Sequence, residues 1–195
     1  MTEKISPQEH LNRAAVHESG HAVMACINGI QCSGVFWEYE PIAGTVPRKG
    51  KFCTPVGNKP PWKTKDYLQI AAGAGAEKLF FGGYIPATSE HDRQKFDAPG
   101  APDWEETVEE AKAILANKND ELTAMATLFL QRSPSIRSLP DRGMKGHSTR
   151  YKELLSEDEV IQIAGSDRAA TRTSKPKKRN REAKNSRAKH SRRKH

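Results

Sequence analysis

The sequence predicts a mainly α-helical fold with a small antiparallel β-sheet. Apolar residues recur at helical spacing in several segments that begin with N-cap residues. Between the first two of these segments, from Cys32 to Val56, short β-prone stretches alternate with Pro and Gly. A length of 195 residues suits one domain of ordinary size. We therefore expect a single domain over residues 1–167, its C-terminal part helical, followed by a tail over residues 168–195.

The first helix has clear start and stop signals. Ser6 is a suitable N-cap, Pro7 suits the first helical position, and Glu9 completes an S-x-x-E capping box. Gly29 is suited to a left-handed C-terminal cap. The sequence therefore predicts a helix near residues 7–28, with a narrow face of small residues toward the core, chiefly alanines from Ala14 to Ala25.

A small sheet and a second helix are predicted next. Residues 35–39 and 51–54 are the β-prone stretches, and residues 66–81 form an Ala- and Gly-rich helical pattern that Gly82 and Gly83 end. Small residues in this helix indicate close approach to a neighbour, which we expect to be the first helix: Ala71, Ala72, Ala74 and Gly75.

Three further helices complete the predicted domain. Asp103 caps the third, which has Glu105 and Glu106 in its first turn. The fourth lies near residues 121–131, and Ser156 with Glu159 forms a capping box for a short last helix that ends before Gly165.

Charge is unevenly divided along the chain. Residues 168–195 contain 13 lysines and arginines and one acid, Glu182, so this tail carries a charge of about +12. Because the net charge of the whole chain is +8, residues 1–167 carry about 8 − 12 = −4 and are mildly acidic. The tail has no aliphatic residue larger than alanine, so it cannot bury enough surface to offset chain entropy. We expect it to be disordered and to bind, if anything, nucleic acid or another polyanion.

Cysteine usage and hydropathy indicate the compartment. Cys26, Cys32 and Cys53 are odd in number and form no C-x-x-C pair, which argues against a disulfide framework and a cysteine-built zinc ribbon. No segment approaches the roughly 20 apolar residues of a membrane span, and the amino terminus lacks a signal-like apolar stretch. We expect free thiols, no membrane contact and a cytoplasmic location.

The segment His17-Glu18-Ser19-Gly20-His21 carries the chemistry. Side chains four apart on a helix lie one above the other, so both imidazoles can bind one metal ion, and zinc is the ion typical of this spacing. Glu18 is rotated by about 100° from His17 and can act as general base beside the ion. The sequence therefore predicts a zinc hydrolase with His17 and His21 as ligands and Glu18 as the catalytic residue.

A catalytic zinc site needs a third protein ligand, which spacing does not identify. The downstream candidates are acidic or histidine side chains: Glu77, Glu90, His91, Asp92 and Asp97. Glu77 lies on an apolar stripe, where an unpaired carboxylate is costly, so it needs a buried partner such as a ligand histidine. The residues alone leave open whether Glu77 binds the metal or orients a ligand.

Five segments resemble the peptidase domain of the FtsH family, whose members are membrane-bound, ATP-dependent zinc proteases. Residues 14–23, with His17-Glu18-Ser19-Gly20-His21-Ala22, resemble the family's HEAGHA helix, with Ser19 replacing alanine. Residues 72–82 resemble its G-x-x-A-E-x-x-x-G helix, residues 87–92 the segment with its aspartate ligand, and residues 111–130 with 155–160 its closing helices. The resemblance implies a zincin-type fold, zinc ligands His17, His21 and Asp92, and a supporting role for Glu77 behind the ligands.

The resemblance also implies a function, and the differences limit it. The chain has no G-x-x-x-x-G-K-[ST] phosphate loop and no membrane span, so we expect a peptidase without motor or anchor. Its predicted activity is ATP-independent endopeptidase cleavage of unfolded or flexible polypeptides, with a separate unfoldase as a candidate partner. An edge strand near residues 45–54 is expected to bind extended peptide. The alternative is a non-catalytic, zinc-stabilised module whose basic tail binds nucleic acid.

Overall fold

The computed structural model describes residues 6–31, 34–39, 47–53, 62–134, 141–143 and 150–165. Six α-helices and four β-strands lie in these ranges, joined in part by short 3₁₀ turns. The helices are α1 (Pro7–Asn28), α2 (Thr64–Phe81), α3 (Pro86–Arg93), α4 (Trp104–Leu115), α5 (Asn119–Arg132) and α6 (Glu157–Ala164). The strands are β1 (Gly34–Tyr39), β2 (Pro47–Cys53), β3 (Asp141–Gly143) and β4 (Arg150–Ser156). The predicted mainly helical fold with a small antiparallel sheet is confirmed.

Helix α1 forms the centre of the structure. The Oγ atom of Ser6 accepts the predicted N-cap bond from the Glu9 amide at 3.1 Å, and Gly29 ends the helix with φ 69°. Every residue from Ala15 to Cys26 is buried. The prediction of a narrow buried face was therefore wrong: α2, α5, α6 and the sheet surround this part of α1 on all sides.

Helices α1 and α2 cross closely in antiparallel orientation. The Arg13 guanidinium near the start of α1 donates to the Gly83 carbonyl just after α2, and Asn28 at the other end donates to the Lys65 carbonyl. A Cβ atom at Gly20 would collide with the Ala72 carbonyl oxygen of α2. The predicted approach of the two helices is confirmed, and it depends on residues without large side chains at the crossing.

The four strands form one antiparallel sheet in the order β2-β1-β4-β3. The region of β1 and β2 was predicted, whereas β3, β4 and the short helix α3 were not. A register shift in the β1–β4 pair leaves Leu154 as an extra residue, so that Leu154 and Leu155 are both fully buried. This bulge breaks the alternation of buried and exposed residues by which a strand is recognised in a sequence.

The remaining helices enclose α1 and α2. Helix α4 packs on α2, where a Cβ at Gly75 would lie 3.1 Å from the Val108 carbonyl oxygen. The predicted cap of α4 is confirmed by a 2.9 Å bond from the Glu106 amide to the Asp103 carboxylate. Helices α5 and α6 pack on the other side of α1.

Two further expectations concern parts of the chain that are only partly described. Cys26 is a buried free thiol, as predicted, whereas Cys32, the Cys53 side chain and the tail over residues 168–195 lie outside the described residues. Among the helices described, none combines the length and apolar character that crossing a membrane requires.

One carboxylate joins three elements of the C-terminal part. Glu159 of α6 accepts two bonds from the Arg132 guanidinium of α5, at 2.6 and 3.0 Å, and the Ser156 amide at 2.9 Å. Arg132 also donates to the Leu154 carbonyl of β4. The hydrogen bonds from Arg132 hold the pKa of Glu159 at about 2, below its ordinary value of 4.5.

We expect Glu159→Gln to lower the free energy of unfolding at pH 7 by about 1 kcal/mol, since the pair is partly exposed and screened by water. Because the folded-state pKa is depressed, the carboxylate stabilises the protein fully above about pH 4.5 and loses this effect as the pH falls toward 2. Urea unfolding at pH 7, 5 and 3 should therefore show the difference from wild type shrinking at pH 3.

Asp158→Asn is the matched control, because Asp158 is an exposed carboxylate in the same first turn of α6. Its effect should be smaller. A Glu159→Gln effect that is equal at all three pH values would contradict the assigned role of the Arg132 pair.

Candidate metal centre

Three side chains from two helices converge on one point. His17 and His21 project from the same face of α1, and Asp92 projects from α3. The Nε2 atoms of the two imidazoles are 3.1 Å apart, and Oδ2 of Asp92 lies 3.1 Å from Nε2 of His21 and 3.4 Å from Nε2 of His17. Both histidines are buried, and the Asp92 side chain is 14% exposed. This group could hold a metal ion.

The hydrogen bonds behind the imidazoles fix which nitrogen faces the centre. Nδ1 of His17 donates to Oε1 of Glu77 at 2.8 Å, and Nδ1 of His21 donates to the Gln69 carbonyl oxygen at 2.8 Å. In the neutral imidazoles, both Nε2 atoms therefore carry lone pairs that face each other and a carboxylate oxygen. Such an arrangement is repulsive unless a cation or protons lie between the three atoms.

The spacing of these atoms fits a small metal ion. Tetrahedral zinc with ligand bonds of about 2.0–2.1 Å separates its ligand atoms by about 3.3–3.4 Å. The three separations of 3.1, 3.1 and 3.4 Å are close to this value. Two imidazoles and one carboxylate are also the donor set of catalytic zinc sites, in which the fourth position is open.

Glu77 of α2 is the buried carboxylate behind the site. Its side chain is fully inaccessible, and it accepts from His17 on α1 and from the Thr88 hydroxyl of α3 at 3.1 Å. The Ile85 amide, at the start of α3, donates to its other oxygen at 3.3 Å, and the Arg13 guanidinium lies 3.5 Å away. Glu77 thus orients one ligand directly and positions the helix that carries Asp92, as expected for a group behind the ligands.

Protons and a metal ion compete for the same atoms. Without a metal ion, burial lowers the pKa of His17, but its hydrogen bonds with Asp92 and Glu77 and the charge of Glu18 raise it, to about 10. Burial raises the pKa of Asp92, but the charge of His21 and the bonds from both imidazoles lower it well below its usual range. The centre therefore holds a positive charge strongly, and a bound metal ion would replace a proton there.

Glu18 follows His17 on α1 and is 8% exposed. Its negative charge is one of the causes that raise the pKa of His17. It is absent from the group of converging ligand atoms. Its role as general base stays a prediction.

The other candidates for a third ligand lie apart from the centre. Glu90 is exposed and accepts from Gln94, and His91 and Asp97 are exposed. Only Asp92, of the described candidates, reaches both imidazoles. The position of Asp92 on helix α3 explains why this residue reaches the imidazoles and its neighbours do not. The sequence did not show this, because α3 was not predicted.

Several supporting groups were missed in the sequence. The Gln69 carbonyl carries no side-chain signal, and Thr88 and Lys95 belong to segments whose helical and 3₁₀ structure was not predicted. Gly73 was not among the small residues singled out in the sequence, although it lies between them in the unbroken run of small residues from Ala71 to Ala76. A Cβ at Gly73 would lie 2.5 Å from Cε1 and Nε2 of His17, so this glycine makes room for the imidazole.

No protein-family model matches the chain, and no curated protein matches it. The resemblance to the FtsH peptidase domain therefore rests on the motif residues, and the metal centre on its own geometry.

We expect Gly73→Ala to weaken zinc binding by about tenfold or more, because the added methyl group displaces the His17 ring from the common centre. Isothermal titration of the metal-free protein with zinc, at constant pH, measures this loss.

The matched control is Gly75→Ala. Gly75 lies two residues further along α2, where the new methyl group meets α4 and not a ligand. Both variants should lower the thermal midpoint of the metal-free protein, but only Gly73→Ala should change the zinc affinity. Equal affinities in the two variants would show that Gly73 does not position His17.

Proposed function

We propose that this protein is a zinc-dependent endopeptidase of the FtsH-like type. The observation that supports the proposal best is the convergence of Nε2 of His17, Nε2 of His21 and Oδ2 of Asp92 at ligand spacing, with the buried Glu18 next to His17 in the sequence of α1. His17, His21 and Asp92 would hold the ion, and Glu77 would orient His17 from behind.

Different residues of the chain would then have different roles in hydrolysis. A bound zinc ion would supply Lewis-acid activation of water and of the scissile carbonyl. Glu18 accepts a proton from the attacking water and later donates it to the leaving amine. The Nδ1 bonds of both histidines hold the rings in place throughout, since neither bond involves the reacting atoms.

The sheet supports a polypeptide as the substrate. Within the described residues β2 is an outer strand that pairs with β1 alone, and it lies against α1, the helix of the metal centre. An extended segment of an unfolded polypeptide can add to such an edge by main-chain hydrogen bonds, which gives affinity with little side-chain specificity. The peptidase we propose is ATP-independent in itself and depends on substrates that are already flexible or on a separate unfoldase.

Glu18→Gln should retain zinc and lose cleavage of an unfolded protein substrate by at least about a hundredfold, because the amide cannot accept the proton of the attacking water. Asp92→Ala should lose both zinc and cleavage. Metal analysis of the purified proteins, combined with cleavage of a fluorescently labelled unfolded protein, separates the two cases.

Full cleavage by the Glu18→Gln variant would refute the assignment of the base. Zinc content unchanged in Asp92→Ala would refute the assignment of Asp92 as the third ligand. A wild-type protein that holds zinc but cuts no unfolded protein would favour the non-catalytic module.

The second candidate function is that of a non-catalytic, nucleic-acid-binding module. Its support is the basic tail, which is a feature of the sequence alone. Residues 168–195 carry a charge of about +12. Binding of this tail to nucleic acid should weaken steeply as the salt concentration rises, because it depends on neutralising phosphates. We expect fluorescence anisotropy with a labelled oligonucleotide to show this slope, and deletion of residues 168–195 to abolish the binding.

The same deletion should leave zinc content and peptide cleavage unchanged. Binding that survives the deletion would place the nucleic-acid contact elsewhere in the chain.

A further inference from the structure

The two oxygens of the Asp92 carboxylate have different partners. Oδ2 faces the two imidazoles, whereas Oδ1 accepts a 2.8 Å hydrogen bond from the Lys95 ammonium group. Lys95 lies three residues after Asp92, in the 3₁₀ turn Gln94–Asp97 that continues α3. The Lys95 side chain is 29% exposed, so the pair lies at the border between the centre and the solvent.

The turn that carries Lys95 is held in place by its neighbour Phe96. The Phe96 ring packs between two aromatic rings, with centroid distances of 4.9 Å to Tyr67 of α2 and 4.9 Å to Trp104 of α4. Its edge-on and tilted contacts are the favourable geometries for aromatic pairs. The backbone that carries Lys95 is therefore held against α2 and α4, with the ammonium group within reach of Asp92.

We propose that Lys95 is a positioning residue that restricts Asp92 to binding the metal through one oxygen. A carboxylate with two free oxygens can bind a metal ion through both, and the second oxygen would then add a fifth ligand next to the position that a catalytic zinc site keeps open. The ammonium group engages Oδ1 and turns only Oδ2 toward the centre. The fourth position then remains available to water or substrate.

This inference rests on the proposed metal centre and goes beyond it by assigning a role to Lys95. A charged donor bound to a ligand carboxylate gives a stronger and better directed bond than a neutral one.

The test uses the full chain loaded with Co²⁺, whose visible absorption is strong in four-coordinate sites and several times weaker in five-coordinate sites. The wild type should give the strong spectrum. In Lys95→Met, Oδ1 of Asp92 is released and joins the metal, so the absorption should fall severalfold. Titration should also show a loss of zinc affinity of about tenfold.

Two further variants make the result specific. Lys95→Arg should restore the strong spectrum, because a guanidinium group can still donate to Oδ1. Lys112→Met removes a lysine with the same i,i+3 pairing, to Glu109 at 3.1 Å on α4, and should leave spectrum and affinity unchanged. Circular dichroism of the metal-free proteins checks that every variant is folded.

A Lys95→Met spectrum and zinc affinity equal to those of the wild type would overturn the inference. A wild type that takes up no Co²⁺ would overturn both the metal centre and the role of Lys95. A wild type that binds Co²⁺ with the expected response to Lys95→Met, yet cleaves no polypeptide, would refute the peptidase function alone and leave the role of Lys95 established.

Discussion

The hydrogen bonds of Glu77 are the constraint on which the candidate metal centre depends. This carboxylate is fully buried on α2 and receives bonds from His17 on α1 and from Thr88 and the Ile85 amide at the start of α3. A buried carboxylate is costly unless it is well paired, so the three helices are tied to one relative position. The two elements that carry the ligands are thereby placed by a residue that is not itself a ligand.

The burial of α1 makes this arrangement rigid. The helix has protein on all sides from Ala15 to Cys26, and the crossing with α2 leaves no room for a side chain at Gly20 or at Gly73. Close packing of this kind fixes the rotation of α1 about its axis. Because the two imidazoles are four residues apart, that rotation decides whether both reach the same ion.

Much of this could be read from the sequence, and the parts that could not share a physical cause. Helices with local signals were predictable: Ser6 and Gly29 for α1, Asp103 for α4, and Ser156 with Glu159 for α6. The strand β4 was not, because its bulge buries Leu154 and Leu155 together. Helix α3 was missed because it is short and mostly polar, so it offers almost no apolar side chains from which a helix is recognised.

The same distinction between local sequence signals and tertiary contacts applies to the candidate metal centre. The histidines were identified from spacing within one helix, which is a local property. The position of Asp92 depends on how α3 docks, and spacing left five residues open until the resemblance to the FtsH peptidase domain singled it out. The Gln69 carbonyl and the Lys95 ammonium group act only through tertiary contacts, so no local pattern marks them.

The separation of the ligands along the chain has a consequence for the protein during its synthesis. Asp92 follows His17 by 75 residues and His21 by 71, and Glu77 lies between them. A ribosome-bound chain that has released only α1 therefore displays the whole His-Glu-x-x-His segment but no complete centre. On the proposed function, a nascent chain cannot cut itself or its neighbours, and hydrolysis starts only when α3 has docked against a folded core.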